Sequence, residues 1–434
     1  MTAAGADERA ATRERFIPVR KAELLDALIE HGALGSEAER EQFRQICRSL
    51  AAIFHYQYFE QLERLRHDYF YFDPEVEPHA RLTDAALASA YDDLVESFET
   101  VLGDASFSEI SHAEIDEAHQ KRKTMRVKVA ARLDDFRDIR FFHRGHHQEA
   151  VEVPTWLGLR RERHDVLVHD DVVLFVAARP AAAIASQRER KLLVRRRIRP
   201  GSVLIKYFRN VSSTDLKALF PNVRVVMSLF DTLALGIPAL AGAIPILINL
   251  SSTLTVLFLV IGFYLGLVSA IEHDALKRAF AGMSGLAALI GFVMRQWLRY
   301  QRQSLKYQQE LTNNVYFRNL NNNAGIFDYM IGEAEDQECK EAFLACYFLH
   351  TAATAQTQTE LEGRIEAWLR LAFGVDITFK VADALLRLAR LDVVACSGDR
   401  LTVPAPEEVL VRLRRTWAGL LAPEAGRPAL AERA

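Results

Sequence analysis

Over the first hundred positions, apolar residues recur with the spacing of a helix face. Ser36-Glu-Ala-Glu39 sets a hydroxyl three residues before a glutamate, the pattern of a capping box. The stretch that follows, EQFRQICRSLAAIFHYQYFEQLERLRHDY, puts Ile46, Leu50, Ile53, Phe54 and Phe59 on one stripe. Residues from Phe16 to about Leu102 therefore read as helical, with a second helix from Asp84 to Leu102. Between Thr124 and Arg209 the texture changes. RDIRFFHRG, HDVLVHDDVVLFVAA and SVLIKYF are rich in β-branched and aromatic residues with turn signals between them, which predicts a small antiparallel sheet. NVSSTDLKALFPNV then predicts a short helix capped by Ser212 or Ser213 and ended at Pro221.

From Thr232 to Ile271 about forty consecutive residues carry no charge, enough for two helical crossings of a bilayer at ~20 residues each. The part GIPALAGAIPILIN is a poor helix for water, yet lipid tolerates its prolines and glycines because the backbone has no other hydrogen-bond partner there. The polar patch from Asn249 to Thr253 divides the run into segments 232–250 and 254–271, and a third hydrophobic segment follows at 279–294. Basic residues crowd both flanks, including Arg195, Arg196, Arg197 and Arg199 before the run and Arg295, Arg299, Arg302 and Lys306 after it. The positive-inside rule puts both flanks in the cytosol and requires an even number of crossings, so one of the three segments does not span. Which pair crosses stays open. Gly262 and Gly266 make a G-x-x-x-G that lets membrane helices approach closely. The expected location is thus an integral, multi-pass membrane protein, in the plasma or inner membrane if the chain is bacterial.

Beyond this region, Asn321-Asn-Asn-Ala-Gly325 suits a turn, because Asn and Gly accept positive φ. A helix to about Leu349 follows, with Asp336 and Lys340 at salt-bridge spacing. Thr359-Glu-Leu-Glu362 predicts a helix with Leu361, Ile365, Trp368 and Leu369 inward, DITF a short strand, Lys380–Arg390 a second helix, and DVVACSGDRLTV a hairpin around Gly398 before a final helix to Trp417. Helix, strand, helix, hairpin is the order of a winged helix. Residues 357–417 balance nine basic against nine acidic residues, whereas a DNA reader needs a basic face, so this module reads as one that binds protein, and DNA is an unlikely partner.

The fold class expected is an α+β membrane protein. An N-terminal helical part and small antiparallel sheet (16–225) precede a membrane region (229–297) made of a central helical hairpin and a third hydrophobic segment, a juxtamembrane helical region (298–350) and a C-terminal winged-helix-like α/β module (357–420). Composition changes this little. A net charge of −3 over 434 residues predicts no general affinity for nucleic acid. Cys47, Cys339, Cys346 and Cys396 are scattered, with no C-x-x-C pair to suggest a disulfide framework or zinc knuckle. The first sixteen residues hold Asp7, Glu8 and Glu14 and no apolar core, unlike a secretory signal.

Candidate chemistry is sparse. No phosphate-loop, dinucleotide-binding, zinc-protease or nucleophile-elbow pattern occurs, so the reading leans away from an enzyme and implies no cofactor. His143-Arg-Gly-His146-His147 is the best metal candidate through His143 and His146, but no acidic or thiol ligand is fixed beside it, and a solvated turn is favoured. His164, His169 and Asp170 reach it only through the fold. Arg195, Arg196, Arg197 and Arg199 are candidates for anionic lipid head groups.

Several stretches together resemble the transmembrane protein 143 family: Phe16-Ile-Pro-Val19, IKYFRNVSSTDLKALFPNVRV, YFRNLNNNAGIFDYMIGEAEDQECKEAFLACYFL, ELEGRIEAW and DALLRLARLDVV. The resemblance covers most of the chain. It implies two spans where this chain has three hydrophobic segments, and a mitochondrial location in some animal members. It brings no established activity and no catalytic residues. The function expected is a membrane-anchored adaptor or regulatory protein, with the bilayer and other proteins, or further copies of itself, as partners. The alternative is a subunit of an oligomeric channel or transporter.

Overall fold

The computed structural model describes residues 14–77, 82–115, 127–130, 136–155, 160–180, 183–184, 199–220, 224–227 and 317–420, with scattered residues between 258 and 309. Three helices open it: α1 (Lys21–Glu30), α2 (Glu37–Tyr69) and α3 (Asp84–Asp104). The start of α2 follows the local pattern. Ser36 Oγ accepts the Glu39 N–H at 3.2 Å, and the Glu39 carboxylate turns back to the Gly35 N–H at 2.8 Å, one residue before the position a closed capping box uses. Ile46, Leu50, Ile53 and Phe54 face inward as spaced, but Phe59 is 53% exposed and Tyr58 takes the inward place. Phe59 stands five positions after Phe54, about 140° further round the helix, whereas Tyr58 is four positions on and stays on the buried side.

Five strands form an antiparallel sheet in the order β1-β3-β4-β5-β7. They are β1 (Ser108–Ile110), β3 (Phe136–Thr155), β4 (Arg160–Ala178), β5 (Val203–Ser212) and β7 (Asn319–Asn322). A separate ribbon pairs β2 (Val127–Ala130) with β6 (Arg224–Met227). After β5 the expected short helix is a 3-10 helix, Ser213–Leu219. The turn expected over Asn321–Gly325 overlaps the end of β7, an edge strand against Lys206–Phe208 that takes in Asn321 and Asn322. The turn itself is at Asn323, with φ 52°, which donates its N–H to Ile205 O at 2.8 Å. Asparagine serves both purposes, because an edge strand leaves one side to solvent while the left-handed region follows one residue on.

The chain continues through α4 (Gly325–His350), α5 (Gln358–Phe373), α6 (Ala382–Arg390), the hairpin β8 (Ala395–Ser397) with β9 (Arg400–Thr402), and α7 (Pro406–Leu420). α5 starts two residues earlier than expected. Thr357, not Thr359, closes a capping box with Glu360. DITF is not a strand: the Thr378 N–H donates to Glu14 O at 2.9 Å, and the third pairing at the hairpin is a bridge from Gln356 to Leu401. Gly374 at φ 68° ends α5, and Gly398 at φ 60° closes the hairpin.

One apolar core collects residues from every helix α1–α7 and one face of the sheet, from Ile17 to Leu413. α4 lies at its centre. Its residues Ala342–Leu349 are all buried, because α1, α2, α3, α5 and α6 pack on its different sides. A helix apolar all round belongs in such a place. A second cluster covers the opposite face of the sheet, where Phe141, Val172, Leu174 and Phe208 meet Leu216, Leu219 and Phe220 of the 3-10 turn and the residue after it. The segment 14–19 straps the first core. Ile17 N–H donates to Gln337 Oε1 at 3.3 Å, Lys340 Nζ donates to Ile17 O at 2.9 Å, and Lys340 also pairs with Asp336 at 2.9 Å.

The expectation of an integral, multi-pass membrane protein is corrected. No helix among the described residues is long and apolar enough to cross a membrane. Most of segments 232–250, 254–271 and 279–294 lies outside the described residues, segment 232–250 entirely so. Where segment 254–271 is described, the helix at 261–264 stops at Leu265 and Gly266, with Gly266 at φ 74°. A left-handed residue ends an α-helix, so Gly266 works as a stop and not as a packing surface on a continuous helix, and Gly262 loses its G-x-x-x-G partner. After the third segment, residues 291–295 and 297–299 are helical, and Arg295 and Arg299 arrive one turn apart. Absence of charge over a stretch measures composition. A helical crossing also needs a helix long enough to carry it through the hydrocarbon.

Candidate functional site

Three neighbouring strands share a kink. Gly145 of β3 and Asn210 of β5 both have positive φ, 71° and 52°, and between them in the register stands Asp170 of β4. A Cβ on Gly145 would meet the Asp170 carboxylate at 2.4 Å, so only glycine fits there. The kink shifts the alternation of side chains. Phe208 and Val211, three residues apart, both face the second cluster, whereas regular pleating sends such a pair to opposite faces.

On the helix side of the kink is a buried charge network. Arg144 is 3% exposed. Its guanidinium donates to Asp171 Oδ2 from Nη2 at 2.6 Å and from Nε at 3.1 Å, and Nη2 reaches Glu333 Oε2 of α4 at 2.7 Å. The Phe16 and Phe107 rings lie 4.2 and 4.8 Å from its central carbon. The other Asp171 oxygen accepts from the Tyr207 hydroxyl at 2.5 Å and Arg209 Nε at 3.2 Å, and Arg209 Nη2 donates to the Tyr329 hydroxyl at 2.7 Å. Burial and the Asp171 charge push the Tyr207 phenol far above its ordinary value, so it stays a donor. Every charge here is matched by an opposite one, and the network pins α4 and the N-terminal strap to the sheet.

A second cluster joins the C-terminal helices to the rest. Arg387 of α6 donates to Asp104 at 2.7 Å and also pairs with Glu338 of α4, while the Tyr58 hydroxyl donates to Asp104 at 3.2 Å. Glu338 Oε2 is buried with no partner. Nearby, removal from water pushes the Glu341 carboxyl up to about 7, against a Gln337 hydrogen bond that lowers it.

The histidines are divided. The His143 and His169 rings lie 4.7 Å apart, tilted at 55°, and the Nδ1 atom of each is buried without a partner. Burial holds both imidazoles neutral, lowering His143 and taking His169 to about 3, with each other's charge adding to the effect on His169. His146 turns outward to the Glu14 carboxylate, and His147 pairs with Asp170 at 2.6 Å. Among the described residues, no three His, Cys, Asp or Glu side chains stand ready to hold a metal ion.

A family described as "Protein of unknown function (DUF3754)" matches residues 169–325. No solved structure matches the chain. The matched segment begins at His169, takes in Asp171, Tyr207 and Arg209, and ends at the first residue of α4, so it holds the sheet half of the charge network and not Arg144, Tyr329 or Glu333. Of the proposed lipid-binding arginines, Arg195, Arg196 and Arg197 lie outside the described residues. Arg199 donates to the Val76 and Tyr71 carbonyls and holds the end of α2 to the start of β5. Sequence reasoning missed the Arg144 network. The available signal was a charge inside an apolar alternation: Arg144 shares a strand face with Phe142, and Asp171 with Val173 and Phe175.

Proposed function

We propose that the protein is a non-catalytic adaptor or regulatory protein that acts by binding another protein. The observation that carries this reading is the set of exposed apolar side chains between residues 258 and 305. Phe258 is 72% exposed, Tyr264 85%, Leu265 69% and Ile290 61%, whereas most other large apolar side chains among the described residues are buried. Apolar surface concentrated in this way marks a docking site. Arg295, Arg299 and Arg302 follow at helical spacing, so the fitting partner is an apolar surface rimmed by carboxylates. The buried charges support the same reading, since they tie elements of the fold together. The balanced charge of the C-terminal module also favours protein over DNA.

The finer kinship, with the transmembrane protein 143 family, belongs to this proposal. Its support is that the stretches IKYFRNVSSTDLKALFPNVRV and YFRNLNNNAG lie in or across the matched 169–325 segment. Neither family brings an activity. The test is site-specific photo-crosslinking from Tyr264 and from Ile290, with Leu371, an isolated apolar residue 87% exposed on α5, as the control. A partner captured from the first two positions and not from Leu371, and lost on changing Phe258 and Leu265 to serine, supports the proposal. Crosslinks confined to the chain itself, or identical from all three positions, refute it.

A further inference from the structure

We propose that His143, His169 and His146 form a binding site for a divalent transition-metal ion of the zinc class, with Glu14 as the carboxylate that positions His146. The argument begins with the kink. Two histidines three apart on a regular strand face opposite ways. Gly145, left-handed between His143 and His146, changes that alternation, as Asn210 does between Phe208 and Val211. His146 stands directly opposite His169 in the β3–β4 register, and directly opposed residues share a face. The ring of His143 already touches that of His169. The backbone thus brings three histidines from two strands together, two with their rings in contact and His146 with its ring turned to Glu14.

The geometry of the inner pair fits a shared ion. Two imidazoles on one tetrahedral metal, each nitrogen ~2.0–2.1 Å from it, have ring centres roughly 5 Å apart and are tilted, not stacked. The observed separation is 4.7 Å at 55°. His169 is only 5% exposed, and both Nδ1 atoms are buried with no partner. Neutral imidazoles are the form that ligates a metal. His146 already has the arrangement of a ligand: its Nδ1 is held by Glu14, which leaves Nε2 to point elsewhere, the carboxylate–histidine–metal order. What separates the present arrangement from a closed site is a turn of the half-exposed His146 ring toward the buried pair. Water is the fourth ligand. The ion would tie β3, β4 and the N-terminal strap at one point.

The experiment titrates the metal-free full-length chain with Co(II), read by visible absorption, then with competing Zn(II). One equivalent of Co(II), bound with tetrahedral bands and displaced by Zn(II), is expected. His143→Gln and His169→Gln each weaken binding by more than ~10-fold, Glu14→Gln by about 10-fold, and His147→Gln, whose ring is held by Asp170, leaves it unchanged. Absence of tetrahedral bands in the wild-type chain overturns the site, as does binding that survives both buried substitutions. Should those two variants fail to fold, X-ray absorption of the zinc-loaded wild-type chain decides: two or more imidazoles at the ion support the site, and one or none overturns it.

Discussion

Asp171→Asn tests the central structural claim, because Asp171 balances two guanidinium groups on the inner face of the sheet. Asparagine keeps the shape and removes the charge. Arg144 is 3% exposed and would retain only Glu333, whose side chain is 29% exposed and so compensates in part. Stranding one member of a buried ion pair costs about 3–5 kcal/mol. With Glu333 left in place the loss expected is about 3 kcal/mol, a large share of the ~5–15 kcal/mol that holds a typical domain folded. Arg144→Met removes the cation and leaves Asp171 with Tyr207 and Arg209, at a cost of about 2–3 kcal/mol. The double variant no longer strands either charge at the Arg144–Asp171 contact, so it should be more stable than the two losses added together, by at least ~1.5 kcal/mol. Guanidinium unfolding followed by circular dichroism measures all four proteins. Additive losses within about 0.5 kcal/mol would mean that the two groups do not depend on each other, and the network account would be wrong.

Four further expectations follow from single positions. Gly145→Ala places a methyl group into the Asp170 carboxylate at a φ of 71° and should cost at least ~1–2 kcal/mol from the backbone alone, seen as a lowered Tm. Because burial depresses His169 to about 3 from an ordinary 6.5, the stability it lends is present above about pH 6.5 and is lost as pH falls through about 3. His169→Gln should flatten that acid limb, and an unchanged limb counts against it. Glu341 is raised to about 7, so its contribution is complete below about pH 4.5 and lost as pH rises through about 7, and Glu341→Gln should therefore be more stable than wild type at pH 8. Thr357→Ala removes the capping box of α5 and should cost about 1 kcal/mol in the same unfolding assay, with no effect expected on metal binding at the histidines.

Local pattern determined much of this molecule. The start of α2 at Ser36, the strands carrying RDIRFF and VVLFVAA, the Asp336–Lys340 pair on α4 and the hairpin at Gly398 were all legible, because each depends on interactions within a few residues. Of the site, His143 and His146 were visible as a pair, while His169 became their neighbour only through strand pairing. Arg144, Asp171 and Glu333 come from β3, β4 and α4, and the last two are separated by more than a hundred and fifty positions. Nothing local fixes their meeting. The same limit explains the larger misreadings. The turn at Asn323 was legible in composition, but the strand that runs into it, Asn319–Asn322, forms because β5 offers an open edge. Segment 254–271 looked like a membrane span because hydropathy counts side chains, whereas the stop of its described helix at Gly266 is a matter of backbone conformation. Sequence sets which segments bend, alternate or avoid water. Long-range packing decides which faces meet and which buried charges find partners, since those free energies arise only between parts far apart along the chain.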